Sequence, residues 1–346
     1  MATTFAVPDG RVAMAATTYT GNGSTQAVSN AVNSVGMQPD LVWIKSRNQA
    51  TNHALFDSVR GTGKVIQSNT TAAEATDNTT LTAFNASGFS LGAAAGSYVV
   101  NTSTYTFVGW CWKAGGTAVS NTAGTITSSV SANTTAGFSV VTFTGNTTAG
   151  ATVGHGLGVA PGLILIKART GAYDWTVYHS AIGATKYLIL DGAYAALTDI
   201  QAFNNTAPTV NVFSLGSAVW ANNSGAMVAY CWAPVAGYSA FGSYTGNGSA
   251  DGPFIYTGFR PRWIMIKNIT NATNWYVFDT SRPAFNVETG QLSPNLSTAE
   301  DNTFTWYDLL SNGFKNRLAS SQSNGSGETY IYAAFAENPL KFSNAR

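Results

Sequence analysis

Five landmarks occur three times, in the same order, along these 346 residues, and that repetition limits the fold more than any other feature. Each copy opens on a Thr-Gly-Asn turn: Thr20-Gly21-Asn22, Thr144-Gly145-Asn146 and Thr245-Gly246-Asn247. A run of Pro, one variable residue, four apolar positions and Lys follows, ending at Lys45, Lys167 and Lys267. Next comes an aromatic segment: Leu55-Phe56-Asp57, Val177-Tyr178-His179 and Val277-Phe278-Asp279. Gly88-Phe89-Ser90-Leu91-Gly92 is echoed by Val212-Phe213-Ser214-Leu215-Gly216 and, more loosely, by Asn312-Gly313-Phe314. The copies close on Trp110-Cys111-Trp112, Tyr230-Cys231-Trp232 and Tyr332-Ala333-Ala334-Phe335.

The prolines that head the Lys runs, Pro39, Pro161 and Pro261, lie 122 and 100 residues apart. Units of about 100 residues are domain-sized, so the expectation is three beads rather than the coils of a solenoid. Within each bead, short runs of Val, Ile, Thr, Tyr, Phe and Trp alternate with Gly/Asn/Ser turns. That pattern predicts an all-β chain of three tandem β-sandwiches, jelly-roll or lectin-like. Four consecutive apolar residues before each Lys imply a central strand buried on both faces. Helical periodicity is scarce, and its best candidates are residues 71–81 and 302–310. The expected boundaries are an N-terminal arm over 1–17 and repeats over 18–116, 137–237 and 238–346. Residues 117–136 form a linker or edge strand between the first two repeats.

Only 10% of residues are charged and the net charge is +1, against roughly 25% charged in ordinary soluble proteins. Such a balance excludes a strongly basic nucleic-acid binder and a polybasic membrane-surface protein. Hydrophobic residues make up 45% of the chain, too many for disorder. The apolar runs are strand-sized, well short of the roughly 20 residues a membrane span needs. The first dozen residues lack the basic-then-apolar order of a signal peptide. Asn-x-Ser/Thr triplets, as at Asn22, Asn69, Asn146 and Asn247, are expected by chance in a chain this rich in those residues.

Chemical motifs are sparse. The histidines His53, His155 and His179 show no metal-ligand spacing, so neither a metal site nor a cofactor is expected. Gly154-His155-Gly156-Leu157-Gly158 lacks the Lys-Ser/Thr of a phosphate loop. The acidic residues, Asp174, Asp191, Asp199, Glu288, Glu300, Asp301 and Asp308 among them, form no paired-carboxylate strand motif of the kind a glycosidase needs. The chain therefore reads as non-enzymatic.

Other recurring residues invite structural roles. Asp57 and Arg60, like Asp279 and Arg282, are three residues apart and suit a local charge-assisted pair. Lys45, Lys167 and Lys267 read as strand-end lysines with apolar stems covered and ammonium heads in water. Cys111 and Cys231, at equivalent sites, are expected to be buried and unpaired. Trp43, Trp110, Trp112 and Trp232 belong to strand cores. Trp175, Trp220, Trp275 and Trp306 lie in polar or Gly/Asn-rich stretches, where a glycan-stacking surface would place them, although core burial competes as an account.

The landmark series resembles repeats in virion proteins of tailed bacteriophages, marine and cyanobacterial phages in particular, from about Thr18 to Pro339. The resemblance implies a virion structural protein, a tail fibre or other appendage engaged in host attachment. Head decoration without a ligand is the alternative, and a glycan-binding or glycan-degrading sandwich a remote one. The chain has no coiled-coil shaft and no triple-β-spiral repeat, which favours a compact piece over a long fibre. The expected partners are other virion proteins, further copies of this chain as a homo-oligomer such as a trimer, and a host glycan or receptor. Neither nucleic acid nor membrane insertion is expected. The arm over 1–17 is the expected docking element.

Overall fold

The computed structural model describes residues 5–31, 35–283 and 286–336. Three four-stranded antiparallel orders recur in it. In the first, Met14–Thr20 pairs with Thr106–Trp112, which pairs with Leu41–Ser46, which pairs with Ala54–Asp57. Phe138–Thr144, Ala226–Trp232, Leu163–Ala168 and Thr176–His179 follow the same order in the second. Ser239–Thr245, Thr329–Ala336, Pro261–Asn268 and Trp275–Asp279 do so in the third. Equivalent landmarks share one register: Leu41 faces Trp112, Leu163 faces Trp232 and Trp263 faces Phe335. Within 117–136, Val119–Asn121 and Ser128–Asn133 extend the second sheet beyond Phe138–Thr144. The helical candidates over 71–81 and 302–310 are extended or turn segments, and the α-helix among the described residues is a single turn, Ile200–Phe203. The apolar residues of those two stretches complete sheets instead of covering a helix face.

A smaller sheet lies over each four-stranded one, for example Gln26–Ser29 with Gly88–Leu91 and Leu81–Asn85 over the first. Strand alternation then explains why the Lys runs are apolar on both faces. In the first repeat Val42, Ile44 and Cys111 point into a core shared with Val28, Phe89 and Leu91 of the small sheet. Leu41, Trp43, Trp110 and Trp112 point the other way, into a core that also holds Leu163, Tyr230 and Trp232 of the second repeat and Trp263 and Phe335 of the third. At its centre Trp112 meets Trp232, Trp263 and Phe335 with ring centroids 5.6, 5.4 and 5.7 Å away. The sandwiches are therefore not separate beads. Each buries its second sheet face against the other two.

Each Thr-Gly-Asn turn is held by a buried asparagine 76–79 residues further along the chain. Asn101, Asn222 and Asn324 accept from the backbone N–H of Asn22, Asn146 and Asn247 at 3.1, 2.9 and 2.8 Å. Glycine is required before each turn asparagine, since a Cβ on Gly21, Gly145 or Gly246 would lie 2.0–2.2 Å from a backbone oxygen.

The segment expected to be a docking arm is largely built in. Met14–Thr20 is a sheet strand, and Val7 lies in the shared core. Residues 1–4 of that arm and 337–346 of the third repeat, with Pro339, lie outside the described residues.

Candidate functional site

The residues singled out in the sequence gather mainly at the junctions between repeats. Position 53 and its equivalents 175 and 275 begin the aromatic strand. His53 Nε2 meets the Ser293 carbonyl at 3.0 Å, Trp175 Nε1 donates to the Gln67 carbonyl at 2.8 Å, and Trp275 Nε1 donates to the Ile189 carbonyl at 2.8 Å. The first repeat thus reaches the third, the second the first, and the third the second, which closes a ring. A backbone series repeats the cycle: Glu74 N–H to Arg169 O, Ala196 N–H to Ile269 O and Glu300 N–H to Arg47 O, at 3.0, 3.0 and 2.7 Å.

These contacts correct the glycan reading of the tryptophans. Trp175, Trp275 and Trp306 are buried. The first two join neighbouring repeats, and Trp306 packs on Tyr276 and Phe278. Trp220 is half-buried and stacks on Tyr187 at 4.7 Å. Polar sequence surroundings mislead here, because the carbonyls that satisfy the Trp175 and Trp275 indoles, those of Gln67 and Ile189, lie in neighbouring repeats and far away in the chain.

The Asp–Arg pairs occupy the same junctions. Asp57 and Arg60 form a fully buried ion pair, and Tyr230 of the second repeat donates its hydroxyl to Asp57 at 2.7 Å. Asp279 pairs with Arg282 at 2.7 Å and accepts the Trp110 indole of the first repeat at 2.9 Å. Glu74 links Arg60 to Arg169 of the second repeat, and Glu300 links Arg282 to Arg47 of the first. At the remaining junction three of the four charged members become apolar together, with Ile182, Ala196 and Ile269 in the places of the arginine, the glutamate and the second arginine. His179 stands where the aspartate would be and meets the Tyr332 carbonyl at 3.0 Å. Burial pushes its pKa down to about 4, so it is neutral. Exchanging a buried ion network for packed aliphatics of similar size is neutral or favourable when every member changes.

The lysines are not heads in water. Lys45, Lys167 and Lys267 are buried. Lys45 Nζ donates to the carbonyls of Ser46 and Gln49, Lys167 Nζ to Thr71 and Tyr173, and Lys267 Nζ to Asn268 and Thr273. The loop after each strand turns one carbonyl onto the ammonium, that of Gln49, Tyr173 or Thr273, and the second comes from the strand end or, for Lys167, from Thr71 of the first repeat. Burial pushes all three pKa values down to about 8. Cys111 and Cys231 are buried and unpaired, each on the face toward its own small sheet, and burial pushes both thiols up.

With these groups engaged inside the fold, the open chemistry lies in a cavity of about 450 Å³ where all three repeats meet. Asn69 and Thr71 come from the first repeat, Asp174, Asp191 and Tyr194 from the second, and Ala272 from the third. Tyr194 is 55% exposed. Burial, with the charge of Asp174 beside it, raises the Asp191 pKa to about 6. The two aspartates are visible in the sequence only as scattered acids. Tyr194 carries no signal there, and the cavity needs the ring to close. Among the described residues no three His, Cys, Asp or Glu side chains gather as a metal site, and no helix is long and apolar enough to cross a membrane.

No curated protein and no solved structure matches the chain. Residues 12–339, nearly its whole length and all three junctions, match one family, so the chain belongs to the family described as a domain of unknown function, DUF7483.

Proposed function

We propose that this chain is a non-enzymatic structural protein of a tailed-phage virion, a compact appendage block engaged in host attachment. The observation that carries the reading is the closed ring. One chain packs three sandwiches around a common aromatic core, and its recurrent ionisable groups staple the junctions instead of lining a cleft. A rigid, charge-poor block of this kind offers three near-equivalent faces, which suits attachment to symmetric subunits of a particle. The landmark resemblance to phage virion proteins points the same way.

The homo-trimer expected from the sequence takes a second place in this reading. Closed symmetry would cover sheet edges, and here the chain covers an edge by itself: Ala16 O on the first strand accepts from Arg262 and Ser281 of the third repeat. We therefore favour stoichiometric attachment to other virion proteins. A density map of purified particles, with the chain located by an epitope tag, tests the proposal. A tail or appendage position supports it, a position on the capsid lattice favours head decoration, and absence from particles refutes both. Light scattering on the purified chain decides between monomer and homo-trimer.

A further inference from the structure

We propose that the cavity over Asp174, Asp191 and Tyr194 is a saccharide-binding site for a neutral or amino sugar. The ring's apolar C–H face would lie on the tyrosine, and its hydroxyl or ammonium donors would meet the two carboxylates. The site is argued from this chain alone, and it rests on the attachment reading above only for the ligand's origin on a host surface.

The carrying observation is a comparison of the three junctions. The backbone N–H of His53, Trp175 and Trp275 donates to a side-chain oxygen of Asn69, Asp191 and Asn295, at 3.0, 2.8 and 3.0 Å. At two junctions a second bond closes the site. Asn69 Nδ2 donates to Asn52 Oδ1, and Asn295 Nδ2 donates to Asn274 Oδ1, both at 2.8 Å. Residue 174 is the equivalent of 52 and 274, each seven positions after its Lys. At the second junction both partners are therefore aspartates, and the self-complementary amide pair is replaced by two groups that, ionised, only accept.

No side chain among the described residues replaces the missing donors. Lys167 turns its ammonium to the carbonyls of Thr71 and Tyr173 and acts on the two aspartates through charge alone. Among the described residues Asp174 accepts no hydrogen bond. Two carboxylates facing one cavity with a single backbone N–H between them, that of Trp175 on Asp191, are costly, and burial raises the Asp191 pKa accordingly. A ligand rich in donors removes that cost.

Tyr194 selects the kind of ligand. Its ring lies close to Gly192, where a Cβ would sit 2.7 Å from ring carbons, and the side chain is 55% exposed at the cavity. An exposed aromatic ring beside paired acceptors fits a pyranose, apolar on one face and rimmed by hydroxyls. A divalent metal ion fits poorly, because it needs six or more oxygens or several retained waters and the cavity offers two carboxylates. The same carboxylates repel uronic and sialic acids.

The test uses the purified full chain on an array of neutral, amino-sugar and acidic oligosaccharides, then titration calorimetry with the strongest binder. Asp174→Asn with Asp191→Asn rebuilds the amide pair of the other junctions, so this variant should fold and melt no lower than wild type. Neutral or amino-sugar binding, weakened at least tenfold in that variant and in Tyr194→Ala, is the expected result. No array signal, a signal confined to acidic sugars, or binding unchanged in the double variant would overturn the proposal. So would titration of the site by Ca²⁺ alone with heat that the double variant abolishes. Because the readout uses the isolated chain, a negative here leaves the particle-location result intact, and the converse holds.

Discussion

Asp57→Ala is the most informative single change, because it asks whether the repeats fold as one body. Both side chains of the Asp57–Arg60 pair are fully buried. The substitution removes the carboxylate that accepts Arg60 Nε, the backbone N–H of Arg60 at 2.8 Å and of Val59 at 3.1 Å, and the Tyr230 hydroxyl at 2.7 Å. Removing one partner of a buried ion pair costs about 3–5 kcal/mol. Glu74 still accepts Arg60 Nη1 at 3.0 Å, which places the expected loss near the lower end, about 3 kcal/mol. Tyr230→Phe alone should cost about 1–2 kcal/mol, since it leaves a buried acceptor short of a donor. The pair spans two repeats, so the double variant should lose less than the sum of the singles by about 0.5 kcal/mol or more. Urea titrations followed by tryptophan fluorescence and by far-ultraviolet circular dichroism measure all four corners of the cycle. The ring predicts one coincident transition that moves as a unit. A loss under about 1 kcal/mol, an additive cycle, or a separate early transition for the first repeat would refute the reasoning.

Further outcomes follow from the same packing. Residues 137–237 expressed alone should show no cooperative melting transition, because Trp175, Tyr230 and Trp232 would lose the neighbours that bury them; a sharp transition in that fragment would restore the bead description. Asp191 holds its proton more tightly in the native state than in the unfolded chain, from an ordinary 3.8 up to about 6. Its contribution to stability therefore falls as pH rises from about 4 to about 6, reaching a cost of up to about 3 kcal/mol at neutral pH. Asp191→Asn should accordingly unfold at higher urea than wild type at pH 7, with the gap closing below pH 4; a gap independent of pH would sink the assignment. Lys45, Lys167 and Lys267 should be the last lysines modified by an amine-acylating reagent under native conditions, as read by peptide mass mapping, and early labelling of any of them would contradict their burial. Cys111 and Cys231 should resist a thiol reagent until urea unfolds the chain, when both react.

The sequence by itself determined the all-β class and the order of the repeated landmarks along the chain, because those depend on local chemistry repeated three times. Proline can head a strand since its first residue need not donate, a Thr-Gly-Asn turn needs a glycine where backbones nearly touch, and four apolar residues in a row announce a strand covered on both faces. What covers the second face is not a local property. An apolar alternation is the same whether its partner is a bead's own sheet or a neighbouring repeat, so ring closure was illegible. With it was hidden the burial of Trp175 and Trp275, whose indole acceptors, the carbonyls of Gln67 and Ile189, come from neighbouring repeats. The lysines mislead for a related reason: a charged residue ending a strand reads as a route to water until the following loop folds its carbonyls over the ammonium.

The candidate site lies across that divide. Asp174 against Asn52 and Asn274 is readable, at one constant spacing from the repeated lysine. Its partner is not, since Asn69 and Asp191 come 12 residues after the strand-end position, whereas Asn295 comes 16 after it. Only the tertiary structure brings residues 174 and 191 onto one cavity with Tyr194, because that cavity exists only where three repeats meet.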